Sequence, residues 1–262
     1  MMRVAPWLLA FMAALAGAAD RLVHIDTRPG VRVGYWLMER PGASATVVLL
    51  PGGEGGIGMR DGVPASANFL VRSRDLFAAA GYNVAVVGKP SDRTELDANF
   101  RAGADHVTDL RRVVERLRQD LGKPVWLVGT SRGTISAAAA AIAIDPSALA
   151  GVVLTSSVTS GSRTSPLRVA SLDLAAIQVP VLVVHHRDDA CPSCSARETP
   201  RIIEGLTHAP SKKLVILEGG SGARGDPCEA LHWHGFIGME AEAVTTITEW
   251  MRNPRQERPG LS

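Results

Sequence analysis

The chain has 262 residues, enough for one domain of ordinary to large size with a substantial core. Hydrophobic residues make up 46% of it and charged residues 21%, a balance that excludes an intrinsically disordered chain. With 28 basic and 26 acidic side chains the formal net charge is only +2, and no long basic run occurs, so the electrostatic grounds for nucleic-acid binding are missing.

Residues 1–19 read as a secretory signal peptide. Met1-Met2-Arg3 gives a positive start, residues 7–15 are apolar, and Ala16-Gly17-Ala18-Ala19 offers small side chains to a signal peptidase before the polar Asp20. The apolar run is shorter than the ~20 residues of a spanning helix. The mature chain is therefore expected to be periplasmic or secreted, with no membrane span after cleavage. Residues 20–252 are expected to form the folded domain, followed by a loose polar tail over 253–262.

Within the domain, residues 31–37 alternate like an early edge strand, with His24 ahead of it. Residues 46–50 form a short apolar run that ends in Pro51-Gly52-Gly53. A helix is predicted over 68–80, stopped by Gly81, and a strand over 83–87. The loop Lys89-Pro90-Ser91-Asp92-Arg93 follows. Residues 105–121 carry the apolar stripe Val107, Leu110, Val113, Val114, Leu117 and Leu121 of an amphipathic helix. Arg101, Arg111, Arg112, Arg116 and Arg118 are assigned to its solvated face, and His106 to a pairing with Asp105 or Asp109. A strand over 125–128 runs into Gly129, and an alanine-rich helix covers 131–144. Three more buried strands are predicted at 151–154, 181–184 and 214–217, and a last helix at 238–251. Strands without alternation are covered on both faces, and helices between them suit parallel crossovers. The fold class is α/β: a doubly wound, mostly parallel sheet with helices on both faces. No internal repeat occurs.

The chemistry centres on Gly129-Thr130-Ser131-Arg132-Gly133. Gly-x-Ser-x-Gly is a weak pattern by itself, since small residues make it common. Here it follows a strand and opens a helix. A turn that tight needs small flanking residues, presents the serine hydroxyl above the sheet, and aims the next backbone N–H, that of Arg132, at a developing oxyanion. The plainer alternative is a serine that caps the alanine-rich helix.

With this motif in place, residues 31–251 resemble the α/β-hydrolase family. The likeness rests on a glycine turn after an early strand, the serine elbow, an acid after a late strand and a histidine after the last strand. It implies Ser131 as nucleophile and a second oxyanion N–H from the loop Leu50-Pro51-Gly52-Gly53-Glu54, with Gly53 the first choice and Glu54 the second. Many members have His-Gly where this chain has Pro51-Gly52, a departure that leaves the backbone donor intact. The family's acid falls a few residues past the strand at 181–184, in His185-His186-Arg187-Asp188-Asp189. Asp189, three residues before Pro192, fits better than Asp188. The base comes from Leu231-His232-Trp233-His234-Gly235-Phe236, where His234 fits better than His232. His185 reads as a core histidine and His186 as a pocket-wall residue. Glu54, Ser91 and Asp92 are possible substrate contacts. The segment 155–178, where larger hydrolases insert a lid, is short here.

Cys191-Pro192-Ser193-Cys194 alone suggests redox chemistry, or with Cys228, His232 and His234 a zinc site. The hydrolase fold implies a disulfide instead, because it brings the acid loop and the base loop together. A bridge from Cys191 or Cys194 to Cys228 would tie these loops down; Cys191–Cys228 is the preferred pairing, with Cys194 then left as a thiol. No dinucleotide fingerprint or His-Glu-x-x-His motif occurs, so no cofactor and no metal are expected. The expected activity is an exported serine hydrolase that cleaves an ester-type bond of a small molecule through an acyl-enzyme. A peptidase, a thioesterase or a non-catalytic binding protein on the same fold are the alternatives.

Overall fold

The computed structural model describes residues 19–161 and 166–254. Residues 1–18 of the predicted signal peptide and most of the predicted tail lie outside the described residues. Among the described residues, no helix is long and apolar enough to cross a membrane.

Among the described residues ten strands form: β1 (Arg21–Arg28), β2 (Val31–Met38), β3 (Ala45–Leu50), β4 (Met59–Arg60), β5 (Val63–Pro64), β6 (Tyr82–Pro90), β7 (Val125–Thr130), β8 (Gly151–Thr155), β9 (Val181–His186) and β10 (Lys212–Leu217). Seven α-helices accompany them: α1 (Phe69–Arg72), α2 (Arg74–Ala79), α3 (Ala98–Ala102), α4 (Ala104–Leu121), α5 (Gly133–Ala143), α6 (Pro200–Gly205) and α7 (Glu240–Arg252). Eight strands make one sheet in the order β1-β2-β6-β3-β7-β8-β9-β10, while β4 and β5 form a small separate hairpin. Pairing is antiparallel from β1 to β2 and from β2 to β6, and parallel from β6 to β10. The predicted α/β class with a mostly parallel sheet is the observed one.

Two apolar layers sandwich the sheet, and successive strand residues alternate between them. Val125 and Leu127 of β7 face one layer, with Leu110, Val113 and Leu117 of α4 and Ile135 and Ala138 of α5. Trp126 and Val128 face the other, with Phe69 of α1, Phe77 of α2 and Val244, Ile247 and Trp250 of α7. This is why the central strands are unbroken apolar runs: both pleat faces lose water, at roughly 25 cal/mol per Å² of apolar surface.

Several sequence expectations need correction. His24 does not precede the first strand; it lies within β1, an antiparallel edge strand that buries Ile25 and Thr27 and exposes Leu22, His24 and Asp26. The helix predicted over 68–80 is two short helices that meet at Ser73, with the Asn68 side chain accepting the Leu70 N–H at its start. Arg101 is not on the solvated face of the long helix. It belongs to α3, is 1% exposed, and is separated from α4 by the break at Gly103. His106 contacts the Ser136 hydroxyl at 2.9 Å, and not Asp105 or Asp109. Asp109 is occupied by Thr27 and Arg28, at 2.5 and 2.9 Å.

Candidate active site

At the end of β7 the chain reverses into α5 so sharply that Ser131 takes φ of +52°, in the left-handed region that non-glycine residues avoid. Three hydrogen bonds hold it there. The Ser131 N–H donates to Thr155 O at 3.0 Å, and Ser131 O accepts the Thr134 N–H at 2.9 Å and the Thr134 hydroxyl at 2.6 Å. The flanking glycines are sterically required. A Cβ on Gly129 would lie 2.3 Å from Gly133 O, and one on Gly133 would lie 2.0 Å from Leu50 O.

Gly52 packs against this turn from the end of β3: a Cβ there would lie 2.8 Å from the Ser131 Cβ. Gly53 follows, with φ of +55°. Neither the Gly53 N–H nor the Arg132 N–H bonds to another described residue. Gly53 O accepts a bond from the buried guanidinium of Arg101 at 3.2 Å, and Arg101 also donates to Leu96 O and Ser136 Oγ at 2.9 and 3.0 Å. Burial, followed by repulsion from Arg132, pulls the Arg101 guanidinium down to about 9. Arg101 is the buried brace of the glycine loop. The sequence hid it among the arginines of α4; the break at Gly103 was the one available signal.

The acid and base segments meet on the other side of Ser131. The Asp189 carboxylate accepts the His234 Nδ1–H at 2.8 Å with one oxygen and the Cys191 N–H at 3.0 Å with the other. His185 Nε2 lies 3.2 Å from the same carboxylate and 2.7 Å from Cys194 O. Burial pushes the Asp189 carboxyl up, but the bonds from His185, His234 and Cys191 outweigh it and hold the group down to about 2. With Nδ1–H committed to Asp189, the His234 Nε2 lone pair is left without a partner, on a residue 4% exposed. Ser156, itself at φ +44°, pins the His234 backbone by donating its hydroxyl to His234 O at 2.7 Å. That brace was not legible in the sequence.

Asp188 is exposed, and its N–H bonds to His186 Nδ1. His232 packs edge-on against Trp233. His186 does not line the cleft; it stacks on Trp233 with 7° between the rings. The cleft beside Ser131 encloses about 1400 Å³ and is lined by Ser131, Arg132, His234, Gly53, Glu54 and Ser91 among others. The Ser91 hydroxyl accepts the Arg32 N–H at 3.0 Å. Asp92 is drawn instead to Arg28, at 3.2 Å, and does not face the cleft.

The disulfide Cys191–Cys228 is present and ties the acid loop to the loop before His234. Cys194 is free, 1% exposed, and its thiol lies within hydrogen-bonding reach of the Ser131 hydroxyl. Burial, and next the Asp189 charge, pushes this thiol well above its ordinary value, so it is no nucleophile in its own right.

No protein-family model and no curated protein matches the sequence. Solved structures do. An esterase from Pyrococcus furiosus superposes with a TM-score of 0.67 at 16% identity, covering 89% of this chain and 90% of that one. A protein from Xanthomonas campestris, described as a serine hydrolase without a lid, gives 0.59 at 16% identity over 95% of this chain and all of that one. A serine hydrolase homologue from Coxiella burnetii gives 0.58 at 15% identity over 92% and 99%. At such identities the likeness is one of architecture, and it agrees with the strand order and layers described above: the chain has the α/β-hydrolase fold.

Proposed function

We propose that this chain is an exported serine hydrolase that cleaves carboxylic esters of small molecules. The observation that carries the reading is the buried Asp189–His234 bond, which leaves a bare Nε2 lone pair beside the cleft that Ser131 also lines. The strained backbone of Ser131 supports it, as does the pair of uncommitted N–H groups on Gly53 and Arg132. Similarity in fold to the Pyrococcus furiosus esterase favours esters among acyl donors. The leader-like first residues and the Cys191–Cys228 bridge favour an oxidising compartment.

In this mechanism the ester carbonyl enters between Ser131 and the two N–H groups. The Ser131 side chain turns from Cys194 toward His234, and Oγ attacks the carbonyl carbon as Nε2 takes its proton. Asp189, ionised throughout, stabilises the imidazolium. The Gly53 and Arg132 N–H groups bind the oxyanion. Collapse passes the proton from His234 to the departing alkoxide and leaves an acyl-Ser131, which water hydrolyses by the same steps.

A series of p-nitrophenyl esters from acetate to octanoate tests this. Wild type is expected to turn over at least the short esters, and Ser131→Ala to lose about 10³-fold or more in kcat. Equal rates for the two proteins would overturn the proposal.

A further inference from the structure

Cys194 plays no part in that mechanism, yet its sulfur shares a small space with the base. The Sγ atoms of Cys191 and Cys194 and a ring nitrogen of His234 all lie within 4.8 Å of one another, and all three residues are buried. Each borders the cleft. The turn that carries Cys194 is fixed by its own N–H to Cys191 O at 2.9 Å and by His185 to Cys194 O at 2.7 Å. Cys191 is committed to the disulfide, so its sulfur retains lone pairs but no thiolate. The full donor set is one thiol, the imidazole of His234, whose Nε2 has no partner, and one weak, soft disulfide sulfur.

We infer that this cluster is a site for a soft monovalent d¹⁰ cation of the Cu(I) class, and that its occupation silences the hydrolase. The donors decide the metal. Thiolate with imidazole suits a soft ion, and no carboxylate oxygen is left over, because both Asp189 oxygens are engaged. Geometry agrees. Metal–sulfur and metal–nitrogen bonds of about 2.3 and about 2.1 Å laid end to end span roughly 4.4 Å. The Cys194 sulfur and the His234 ring nitrogen lie no more than 4.8 Å apart, so one ion can bridge them once the two side chains adjust to that span. Two strong donors serve a linear ion and leave a tetrahedral Zn²⁺ unsatisfied. The Asp189–His234 pair adds the carboxylate–histidine arrangement that orients metal-binding imidazoles. On binding, the Cys194 S–H bond breaks, its proton leaves to solvent and an S–metal bond forms. The Nε2 lone pair is donated to the same ion, so nothing remains to accept the Ser131 proton. No electron is transferred, and the disulfide stays intact.

Silver(I) nitrate in chloride-free buffer is the probe, because it is soft, d¹⁰ and needs no reductant. Binding is measured by calorimetry and proton release, on wild type and on Ser131→Ala. Both are expected to bind one tight Ag⁺ per chain and to release one proton. The silenced-hydrolase half rests on the proposed function; the binding half does not, and Ser131→Ala separates them. Cys194→Ser is expected to weaken the tight site at least 100-fold and His234→Gln about tenfold. Residual ester hydrolysis of wild type should fall in step with occupancy. A ¹⁵N-histidine spectrum of the wild type, which needs no variant to fold, should show the His234 Nε2 resonance shift on addition of Ag⁺. The inference is overturned if Cys194→Ser binds Ag⁺ as wild type does, if the His234 resonance stays still at one equivalent, or if Zn²⁺ at the same concentration binds as tightly.

Discussion

Replacing Gly52 with alanine separates the oxyanion loop from the rest of the proposed machinery. Gly52 is outside the left-handed region, so alanine meets no backbone penalty there. Its Cβ would lie 2.8 Å from Thr130 O and 2.8 Å from the Ser131 Cβ. Ordinary contacts between such atoms begin near 3.5 Å, so the loop must retreat by roughly 0.5 Å or more. The next residue supplies the proposed Gly53 donor, and a donor works only within about 2.7–3.1 Å of the oxyanion. Full loss of one such donor costs about 10²–10³ in kcat. A partial retreat is thus expected to lower kcat by about ten- to a hundredfold, with KM changed less than about threefold. Overpacking should cost about 1–3 kcal/mol of stability, a fall in Tm of a few degrees. Steady-state kinetics on p-nitrophenyl acetate and thermal unfolding by circular dichroism give both numbers. A folded Gly52→Ala protein with kcat within twofold of wild type would refute the placement of the oxyanion donor.

Asp189→Asn should reduce kcat by about 10³-fold or more, whereas Asp188→Asn should leave it within twofold, measured on the same ester. His106 is buried neutral and its value is driven down to about 3, by burial first and then by the charge of Arg101. Its unfolded form takes up a proton near 6.5, so acidification from there to about 3 favours the unfolded chain by up to about 1.4 kcal/mol per pH unit. Urea titrations across that window should show this slope in the wild type and a shallower one in His106→Gln. Asp189 acts lower down. Held at about 2 against 3.8 when unfolded, it stabilises above pH ~4 and loses that contribution only as pH falls toward 2. Opening the Cys191–Cys228 bridge frees a loop of 37 residues, which the chain-entropy relation converts to about 4 kcal/mol. Cys228→Ser should melt at least about 8 °C below wild type.

Much of the fold could be read from residue pattern alone. β3, β7, β8 and β9 are apolar runs because both sheet faces are covered, and this alone fixed the parallel core. β1 was illegible for the opposite reason: an edge strand with one wet face carries polar residues that read as loop. The segment 68–80 reads as one helix because the apolar spacing persists through Ser73, and only the backbone shows the break. At the site, the close packing at Gly129 and Gly133 is visible as a motif because no larger residue fits. The pairing of Cys191 with Cys228 follows from which loops the topology brings together. Arg101 and Ser156 were not legible. Each acts through a tertiary bond to a backbone carbonyl, Gly53 O and His234 O, and a carbonyl leaves no trace in residue type. The same holds for Cys194, whose place beside Ser131 depends on a turn that sequence could not orient.

The central claim is that Ser131 is a nucleophile activated by His234. A fluorophosphonate probe reports this directly, because it reacts only with a serine whose proton is being withdrawn. Tryptic mass spectrometry after labelling near pH 8 should find one phosphonate per chain, on the peptide that carries Ser131. Labelling should be lost in Ser131→Ala and reduced at least a hundredfold in His234→Gln. A wild-type protein that folds with its Cys191–Cys228 bridge and takes up no label, or takes it up elsewhere, would contradict the account.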